Sequence, residues 1–521
     1  MLIDLRSFLR TWLRESPFVF ALASGKLLLH VSFATRYGIF RDELYYIACG
    51  EHLDFGYVDH PPMIAWIARI IRELFGDSLF ALRSTSAIAG VLTLLLTAHL
   101  CRRLGGNALA QTLASACVLV SPYFLATSHL FTMNAFEPLL WTLAVYMLVR
   151  IAQGEVAPSR WLAFGALVGV GLLNKHSTLF LGFGLFVAIV LTSMRRSLLT
   201  RWPWLALAIA IALFLPNLIW QYKAAFPTLE FMAHARAEKN VALSPLAFLR
   251  EQVILMQPLT VVVWVSGTLF AFRRRVKTEL QLIGITYGVL LVIMLVTRAK
   301  PYYLAPIYPT LFATGGVSLC AITERFRPLV MRTVLSLVLA TGALSAPLSV
   351  PILAPQTLTK YTRGIHRQSG ERHEQGPLDQ IYADMFGWRE LALAVAQVHH
   401  DLPQAEQTSA IVMATNYGEA SALDYFGAAH GLPRTWSPHN AYWMWTRAEA
   451  HRQGTEQLGS RAFIVVGGKS TQLEQYFDKV ELVGLSDHVY AMPYERHLPI
   501  YVCRGLKEPF DVFWAKVKRY V

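Results

Sequence analysis

Four residues near the start of the chain have the types and spacing that chemistry needs. Asp42 and Glu43 are adjacent, and Asp59 and His60 stand together before two prolines. A carboxylate can act as a general base and remove the proton of a hydroxyl group. A histidine, whose charge changes near neutral pH, can contact an anion such as a phosphate. The stretch therefore predicts acid–base chemistry beside a binding site for an anion.

The same four residues also have structural interpretations. Adjacent Asp42 and Glu43 point to different faces of the element that holds them, so one can face a cavity while the other caps a helix. Both could instead be carboxylates that stabilise the start of a helix. The two prolines predict a helix over Met63–Leu74, and the unpaired N–H groups at its start suit an anion. His60, just before it, could equally be a structural histidine.

Three further cations stand in turns between apolar segments. Arg298 and Lys300 follow one apolar segment, and Lys175 lies between two short ones. Such cations could stabilise the charge that develops on a departing phosphate. Snorkelling to lipid headgroups, or an ordinary polar turn at Lys175, is the simpler alternative. A polar loop that contains His234 and Arg236 could form a mobile lid or a solvated loop.

The composition indicates a membrane protein. Apolar residues make up 54% of the 521-residue chain and charged residues 16%, whereas soluble domains carry about 25% charge. The net charge of +13 comes from 47 basic and 34 acidic side chains. Because the basic residues are scattered over separate loops, we expect no nucleic-acid partner. Five widely spaced cysteines predict no disulfide framework.

Apolar stretches of roughly 20 residues, the length that crosses a bilayer, recur along the chain. Short loops rich in Lys and Arg mark the cytoplasmic side. With a cytoplasmic N-terminus, alternation places these loops inside, among them the ones with Arg273–Arg275, Arg325 and Arg327. We predict about eleven spans, at residues 17–35, 82–101, 108–127, 135–151, 160–174, 177–194, 203–220, 253–272, 279–297, 302–320 and 330–352.

The hydropathy predicts three regions. Residues 1–16 form an interfacial cytoplasmic helix rather than a signal peptide. Residues 17–352 form the membrane domain, with an external loop at 36–81. Residues 353–521 form a soluble extracytoplasmic α/β domain, with strands at 410–414, 462–466 and 500–502 and a helix at Glu419–Phe426. The predicted fold is an all-α polytopic membrane bundle with a C-terminal α/β domain.

These motifs resemble those of a known superfamily. The order Asp42-Glu43, Tyr45-Tyr46 and Asp59-His60-Pro61-Pro62 resembles the GT-C glycosyltransferases that use polyprenyl-phosphate sugars. The nearest relatives are the family 39 protein O-mannosyltransferases and the bacterial lipid A aminoarabinose transferases. The turn Lys300–Pro309 matches the same family, and Phe136-Glu137-Pro138 is a weaker match. The likeness runs through residues 36–320.

The resemblance implies a GT-C fold and transfer of a sugar from a polyprenyl-phosphate donor in the bacterial inner membrane. The acceptor would be a lipid, glycan or protein on the extracytoplasmic side, where the C-terminal domain would also lie. No metal or cofactor is expected, because the lipid-linked sugar is itself a substrate.

The resemblance also implies roles for individual residues. Asp42 matches the general base, with Glu43 and Asp59 as further candidate catalytic residues. His60, where the aminoarabinose transferases carry Lys, matches the residue that contacts the donor phosphate. The turn with Lys300 and Tyr302 or Tyr303 matches the part that approaches the lipid phosphate, and Lys175 and Arg298 are added on charge alone.

Two motifs in the tail, Asn416–Ala420 and Ser437–Trp443, resemble the tails of uncharacterised bacterial members of family 39, and no chemistry attaches to them. A transporter or flippase of an amphipathic solute is the main alternative, and a non-catalytic scaffold is another. The sequence has no internal repeat of the kind common in transporters, and its ionisable residues collect at one external rim. Both facts favour the enzyme.

Overall fold

The chain folds into two units, each assembled from separate segments. The computed structural model describes residues 5–239, 241–273, 276–323, 328–363, 374 and 376–521. Residues 1–4 and the predicted cytoplasmic cations Arg274, Arg275, Arg325 and Arg327 lie outside the described residues. Unit 1 consists of Met1–Arg36, Asp77–Ile219 and Ala242–Leu353, and unit 2 of Tyr37–Gly76, Trp220–Val241 and Ala354–Val521.

Helices dominate both units. In the described residues the α-helices are α1 (Leu5–Glu15), α2 (Pro17–Phe33), α3 (Arg41–Glu51), α4 (Met63–Phe75), α5 (Leu79–Arg103), α6 (Ala108–Val120), α7 (Pro122–His129), α8 (Met133–Ala152), α9 (Arg160–Asn174), α10 (Thr178–Leu191), α11 (Trp202–Lys223), α12 (Pro227–His234), α13 (Pro245–Leu255), α14 (Val261–Ala271), α15 (Thr278–Thr297), α16 (Tyr308–Thr323), α17 (Pro328–Ser345), α18 (Pro355–Tyr361), α19 (Gln380–Ala383), α20 (Trp388–Asp401), α21 (Gln404–Gln407), α22 (Tyr417–Gly427), α23 (Ala441–Gln453), α24 (Ser470–Leu473) and α25 (Phe510–Lys516). The strands are β1 (Ile411–Ala414), β2 (Phe463–Val466), β3 (Phe477–Ser486) and β4 (Leu498–Leu506).

Most of unit 1 consists of helices suited to a membrane. By length and composition, six described segments could cross a bilayer: Leu79–Arg103, Met133–Ala152, Trp202–Lys223, Thr278–Thr297, Pro301–Ala321 and Leu329–Leu348. Three bent helix pairs raise the number to nine if each pair is one span, and α2 and α9 are shorter apolar helices. All of them lie where the sequence predicts spans, and the total of eleven stays a prediction.

Local sequence explains where these helices start and bend. Asn107 caps α6 by accepting the N–H of Ala110 at 3.0 Å. α6 and α7 meet at a bend of 64°, where Pro122 interrupts the helical hydrogen bonding. Ser121 turns its hydroxyl back onto the carbonyl of Cys117 at 2.6 Å.

Helices α14 and α16 approach each other through glycines. A Cβ added to Gly315 would lie 2.1 Å from the carbonyl oxygen of Val263, and one added to Gly267 would lie 2.5 Å from the nitrogen of Gly315. Small residues let two helix backbones approach closely in membrane bundles. The two glycines therefore set the distance between these helices.

We predict that Gly315→Ala destabilises unit 1 by about 1–3 kcal/mol, the usual cost of overpacking a core. The added methyl group has no room beside Val263, so the helices must separate. Thermal unfolding of the detergent-solubilised protein measures the change. Gly182→Ala in α10 is the matched control, because a Cβ there would meet no described atom within 4 Å. Equal stability of the two variants would contradict the close packing.

Unit 2 joins parts of the chain that are far apart in sequence. α3 packs against α4 and against α22 of the C-terminal region. The sheet has the order β1-β2-β4-β3, with β1 and β2 parallel and the other pairs antiparallel. All four residues of β2 are 0% exposed, as expected for a strand that is covered on both faces.

The structure confirms most of the elements predicted for the tail. β1, β2, part of β4 and α22 lie where the sequence predicts them. β3 was not predicted, because this edge strand is exposed over much of its length and lacks a buried apolar run. The region 353–521 forms the larger part of unit 2, which also contains residues 37–76 and 220–241.

Candidate active site

The two adjacent acids at the start of α3 have different partners. Glu43 is 0% exposed and accepts the backbone N–H of Phe40 at 2.9 Å, so it caps the helix. The Asp42 side chain is 32% exposed, and its Oδ1 accepts the hydroxyl of Tyr417 at 2.8 Å. Asp42 is therefore the acid of the pair that a substrate could reach.

Asp59 is held by a second tyrosine. The Tyr45 hydroxyl donates to Oδ1 of Asp59 at 2.9 Å, and the Tyr45 oxygen accepts the backbone N–H of Ala441 at 3.3 Å. Burial raises the pKa of Asp59 above its ordinary value, although the charge of His60 and the Tyr45 hydrogen bond oppose the shift. Asp59 thus keeps its proton to a higher pH than an exposed aspartic acid.

The structure does not support the predicted contact between His60 and a phosphate. His60 is 0% exposed. Its Nδ1 donates to the carbonyl of Pro61 at 2.8 Å, and its Nε2 faces Sγ of Cys49 at 3.6 Å. The ring stacks on Tyr57 with centroids 4.8 Å apart. With both nitrogens engaged inside an aromatic cluster, His60 holds the loop before α4 in place.

In unit 1, three of the residues predicted to bind the donor phosphate come together. Nζ of Lys175, in the turn between α9 and α10, lies 5.3 Å from the ring centre of Tyr302 and 4.9 Å from that of Tyr303. Both tyrosines belong to the 3₁₀ turn Pro301–Ile307. The prediction drew these residues from separate motifs, and the fold places them in one cluster.

Lys175 is also the partner of a buried acid. Its Nζ donates to Oε2 of Glu137 at 2.9 Å and to Oδ1 of Asn134 at 2.7 Å. Glu137 is 0% exposed and also accepts the hydroxyl of Ser177. An ammonium group has three N–H donors, so one remains beyond these two hydrogen bonds.

Arg298 and Lys300 lie at the end of α15. Arg298 is exposed and has a left-handed backbone with φ of 51°. Lys300 is half-buried and directly precedes the turn Pro301–Ile307. Both residues therefore shortly precede, in the sequence, the two tyrosines that lie beside Lys175.

The segment predicted as a lid or solvated loop is folded. His234, at the end of α12, donates from Nδ1 to the carbonyl of Tyr520 at 3.0 Å. Glu230 pairs with Lys518 at 2.7 Å, so α12 is tied to the end of the chain by two contacts. Arg236 is exposed in a π-helical turn over Ala235–Lys239.

Two residues of this arrangement were missed as site residues. Glu137 gave a usable signal, since a single acid inside an apolar helix must have a partner or a function. Tyr417 gave none, because its contact with Asp42 joins residues 375 positions apart. In the described ranges, no cluster of three or more His, Cys, Asp or Glu side chains is arranged to hold a metal ion.

We predict that Lys175→Met destabilises the protein by about 3–5 kcal/mol, because it leaves the buried Glu137 charge without its partner. The double variant Lys175→Met/Glu137→Gln should recover much of this loss, since no buried charge then remains. Thermal unfolding of the single and double variants measures both effects.

The control is the exposed pair Arg69–Glu73, whose side chains are 45% and 59% exposed. Arg69→Met should cost less than about 1 kcal/mol. A double variant no more stable than Lys175→Met would contradict the buried-charge explanation.

The helix that carries Tyr417 also contains a half-buried acid, Asp424. It accepts the N–H of Thr435 at 2.7 Å and the hydroxyl of Tyr442 at 2.8 Å. Burial raises the pKa of Asp424 from 3.8 to about 6, against the effect of these hydrogen bonds. Between these two pH values the folded state binds more protons than the unfolded state, so stability falls as the pH rises.

We predict that the wild-type protein loses roughly 2–3 kcal/mol more stability than Asp424→Asn as the pH rises from about 4 to about 7. Asparagine keeps an acceptor for Thr435 but does not titrate. Unfolding of both proteins as a function of pH is the measurement. Parallel stability curves would show that Asp424 is ionised at the same pH in the folded and unfolded states.

Comparisons with known proteins match part of the sequence to a family. Residues 59–220 match the family model of the dolichyl-phosphate-mannose-protein mannosyltransferases. RgtD from Rhizobium johnstonii, a lipid A galacturonosyltransferase, is 28% identical over 183 residues, which are 35% of this chain and 38% of RgtD. An undecaprenyl phosphate-alpha-4-amino-4-deoxy-L-arabinose arabinosyl transferase from Pseudomonas savastanoi is 29% identical over 31% of each chain. The matches span about a third of the length of these relatives.

The fold is matched over almost the whole chain. ArnT from Cupriavidus metallidurans, in its crystal structure with undecaprenyl phosphate, has a TM-score of 0.63 and 15% identity. The match covers 93% of this chain and 98% of that one, and at this identity it establishes the fold. Together the family model, the relatives and the fold confirm the resemblance that the sequence motifs indicated.

Proposed function

From this confirmed resemblance to the GT-C glycosyltransferases, we propose that the protein is a membrane glycosyltransferase. It moves a sugar from a polyprenyl-phosphate donor to an acceptor on the extracytoplasmic side of the bacterial inner membrane. One observation supports this proposal most directly. Asp42 has an accessible carboxylate, and its Oδ1 accepts the hydroxyl of Tyr417.

Asp42 acts as the general base. As the bond between C1 of the sugar and the phosphate oxygen breaks, positive charge develops on the sugar ring. The acceptor hydroxyl forms the new bond to C1, its proton passes to Asp42, and the electrons of the broken bond leave with the phosphate. Asp59 is engaged by the Tyr45 hydroxyl and Glu43 serves to cap α3, so the proton transfer is assigned to Asp42.

The leaving phosphate needs positive charge and hydrogen-bond donors rather than a proton. Lys175 supplies its remaining N–H, and the hydroxyls of Tyr302 and Tyr303 are further donors in the same cluster. Arg298 and Lys300 add charge at the neighbouring turn. No metal or cofactor takes part in this scheme.

The relatives suggest which substrates to test first. The one named for undecaprenyl phosphate-linked aminoarabinose suggests an undecaprenyl-phosphate sugar as donor. The lipid A galacturonosyltransferase suggests lipid A as acceptor, with another glycan or a protein as alternatives. The proposal includes eleven spans, a cytoplasmic N-terminus and a periplasmic C-terminal domain.

The test compares envelope lipids and glycans of cells with and without the gene by mass spectrometry. We expect one species to lose the mass of a sugar residue when the gene is absent. Movement of a solute in reconstituted vesicles, without any glycosylated product, would instead favour a transporter.

Asp42→Asn should lower formation of this product by about 10²- to 10⁴-fold, the usual contribution of a general base, while the protein accumulates normally. Asp54→Asn is the matched control, because Asp54 is an acid of the same loop that hydrogen-bonds the indole N–H of Trp220 at 2.7 Å. Product formation by Asp42→Asn at the wild-type level would remove Asp42 as the base.

A further inference from the structure

The tail motif Asn416–Ala420, to which the sequence attaches no chemistry, contains the residue that contacts Asp42. Tyr417 is 7% exposed, yet its hydroxyl reaches Oδ1 of the accessible Asp42 side chain at 2.8 Å. The other carboxylate oxygen, Oδ2, accepts no hydrogen bond from the described residues. One oxygen is thus fixed by the protein while the other is left for a substrate.

Tyr417 is itself held in one position. It opens α22, where the side chain of Asn416 accepts the N–H groups of Gly418 at 2.8 Å and Glu419 at 3.0 Å. Its own N–H donates to Nδ1 of His439, in the second tail motif, at 3.3 Å. The Tyr417 ring lies 4.6 Å from that of Tyr45. These contacts leave the hydroxyl little freedom to leave Asp42.

Arg41 is the competing partner for Asp42. Its Nε lies 3.8 Å from Oδ1 of Asp42, beyond hydrogen-bond distance. The guanidinium instead donates to the hydroxyl of Tyr494 at 2.7 Å and stacks over the Tyr417 ring at 5.3 Å. Its Nη2 also lies 3.8 Å from Oδ2 of Asp384, so Arg41 faces two carboxylates.

Gly418 leaves room for this placement of Arg41. A Cβ at position 418 would lie 2.5 Å from Cγ and 2.6 Å from Cδ of Arg41. Any larger residue there would push the arginine stem out of its place. The residue that follows Tyr417 therefore sets the position of Arg41, as Tyr417 sets that of Asp42.

We propose that Tyr417 is a positioning residue for Asp42, so that the tail motif Asn416–Ala420 is part of the catalytic apparatus. The inference rests on the proposed function, because it assumes that Asp42 is the base. Tyr417 holds Oδ1 of Asp42, so that Oδ2 is left for the acceptor hydroxyl.

The test uses the full-length protein in lipid nanodiscs. Lipid-linked sugars extracted from host membranes serve as donor, and envelope lipid from the deletion strain serves as acceptor. The product is the species whose mass depends on the gene. Titration of the donor extract separates the limiting rate from the half-saturating amount, and thermal unfolding reports the stability of each variant.

Tyr417→Phe should lower the limiting rate about tenfold, the effect of one hydrogen bond to a charged group. The half-saturating amount of donor should change less than about twofold, because the ground-state contacts with the donor remain. Tyr442→Phe is the matched control, since it removes a buried hydroxyl that donates to an acid, Asp424, at 2.8 Å outside the proposed site. It should lose comparable stability and keep the wild-type rate.

The outcomes separate the two proposals. If Asp42→Asn is inactive and Tyr417→Phe has the wild-type rate, or loses rate only as Tyr442→Phe does, Tyr417 is structural and this inference fails alone. If Asp42→Asn is active, or wild-type protein forms no product, the proposed function fails as well. If Tyr417→Phe does not fold, Tyr417→His replaces it, because histidine keeps an aromatic ring and lacks the hydroxyl. A lowered rate supports the inference, and a wild-type rate overturns it.

Discussion

The hydrogen bond from Tyr417 to Asp42 is the contact on which the candidate site depends. A carboxylate at the edge of an apolar protein needs partners, since a charge removed from water is costly when it is left alone. If those partners were cations, the carboxylate would be neutralised and would serve poorly as a base. A hydroxyl donor satisfies one oxygen without adding positive charge. The neighbouring Arg41 stays 3.8 Å from Oδ1 of Asp42, while its guanidinium donates to Tyr494 and lies over the Tyr417 ring.

In unit 1, by contrast with Asp42, the charged acid is buried and its partner is a cation. Lys175 and Glu137 form a hydrogen-bonded ion pair in which the acid is fully buried. Ser177 and Asn134 satisfy further polar atoms of the pair, which is the condition for a buried pair to be tolerated. The pair fixes the ammonium beside Tyr302 and Tyr303. A cation that is held in advance in this way can stabilise a developing charge without reorganising.

Periodicity and composition were sufficient for the helical fold, because helices α5, α8 and α15 are long and predominantly apolar, and for most tail elements. Periodicity and composition did not predict β3, because much of this strand faces solvent and lacks a buried apolar run. The site was predictable only where one motif contains both partners. Asp42 and Glu43 are an example: their adjacency allowed one accessible acid and one helix cap, and the structure shows that Glu43 is the cap. Tyr417 could not be found in this way, because only the folded chain brings a tail helix to α3.

His60 is enclosed by aromatic side chains. Its ring has no exposed surface and lies among Tyr45, Tyr46 and Tyr57. The His60 imidazole donates to the Pro61 carbonyl at 2.8 Å and fits between these rings. The aromatic packing therefore explains why a histidine suits this position. In the proposed scheme the lipid phosphate is therefore assigned to Lys175 with Tyr302 and Tyr303.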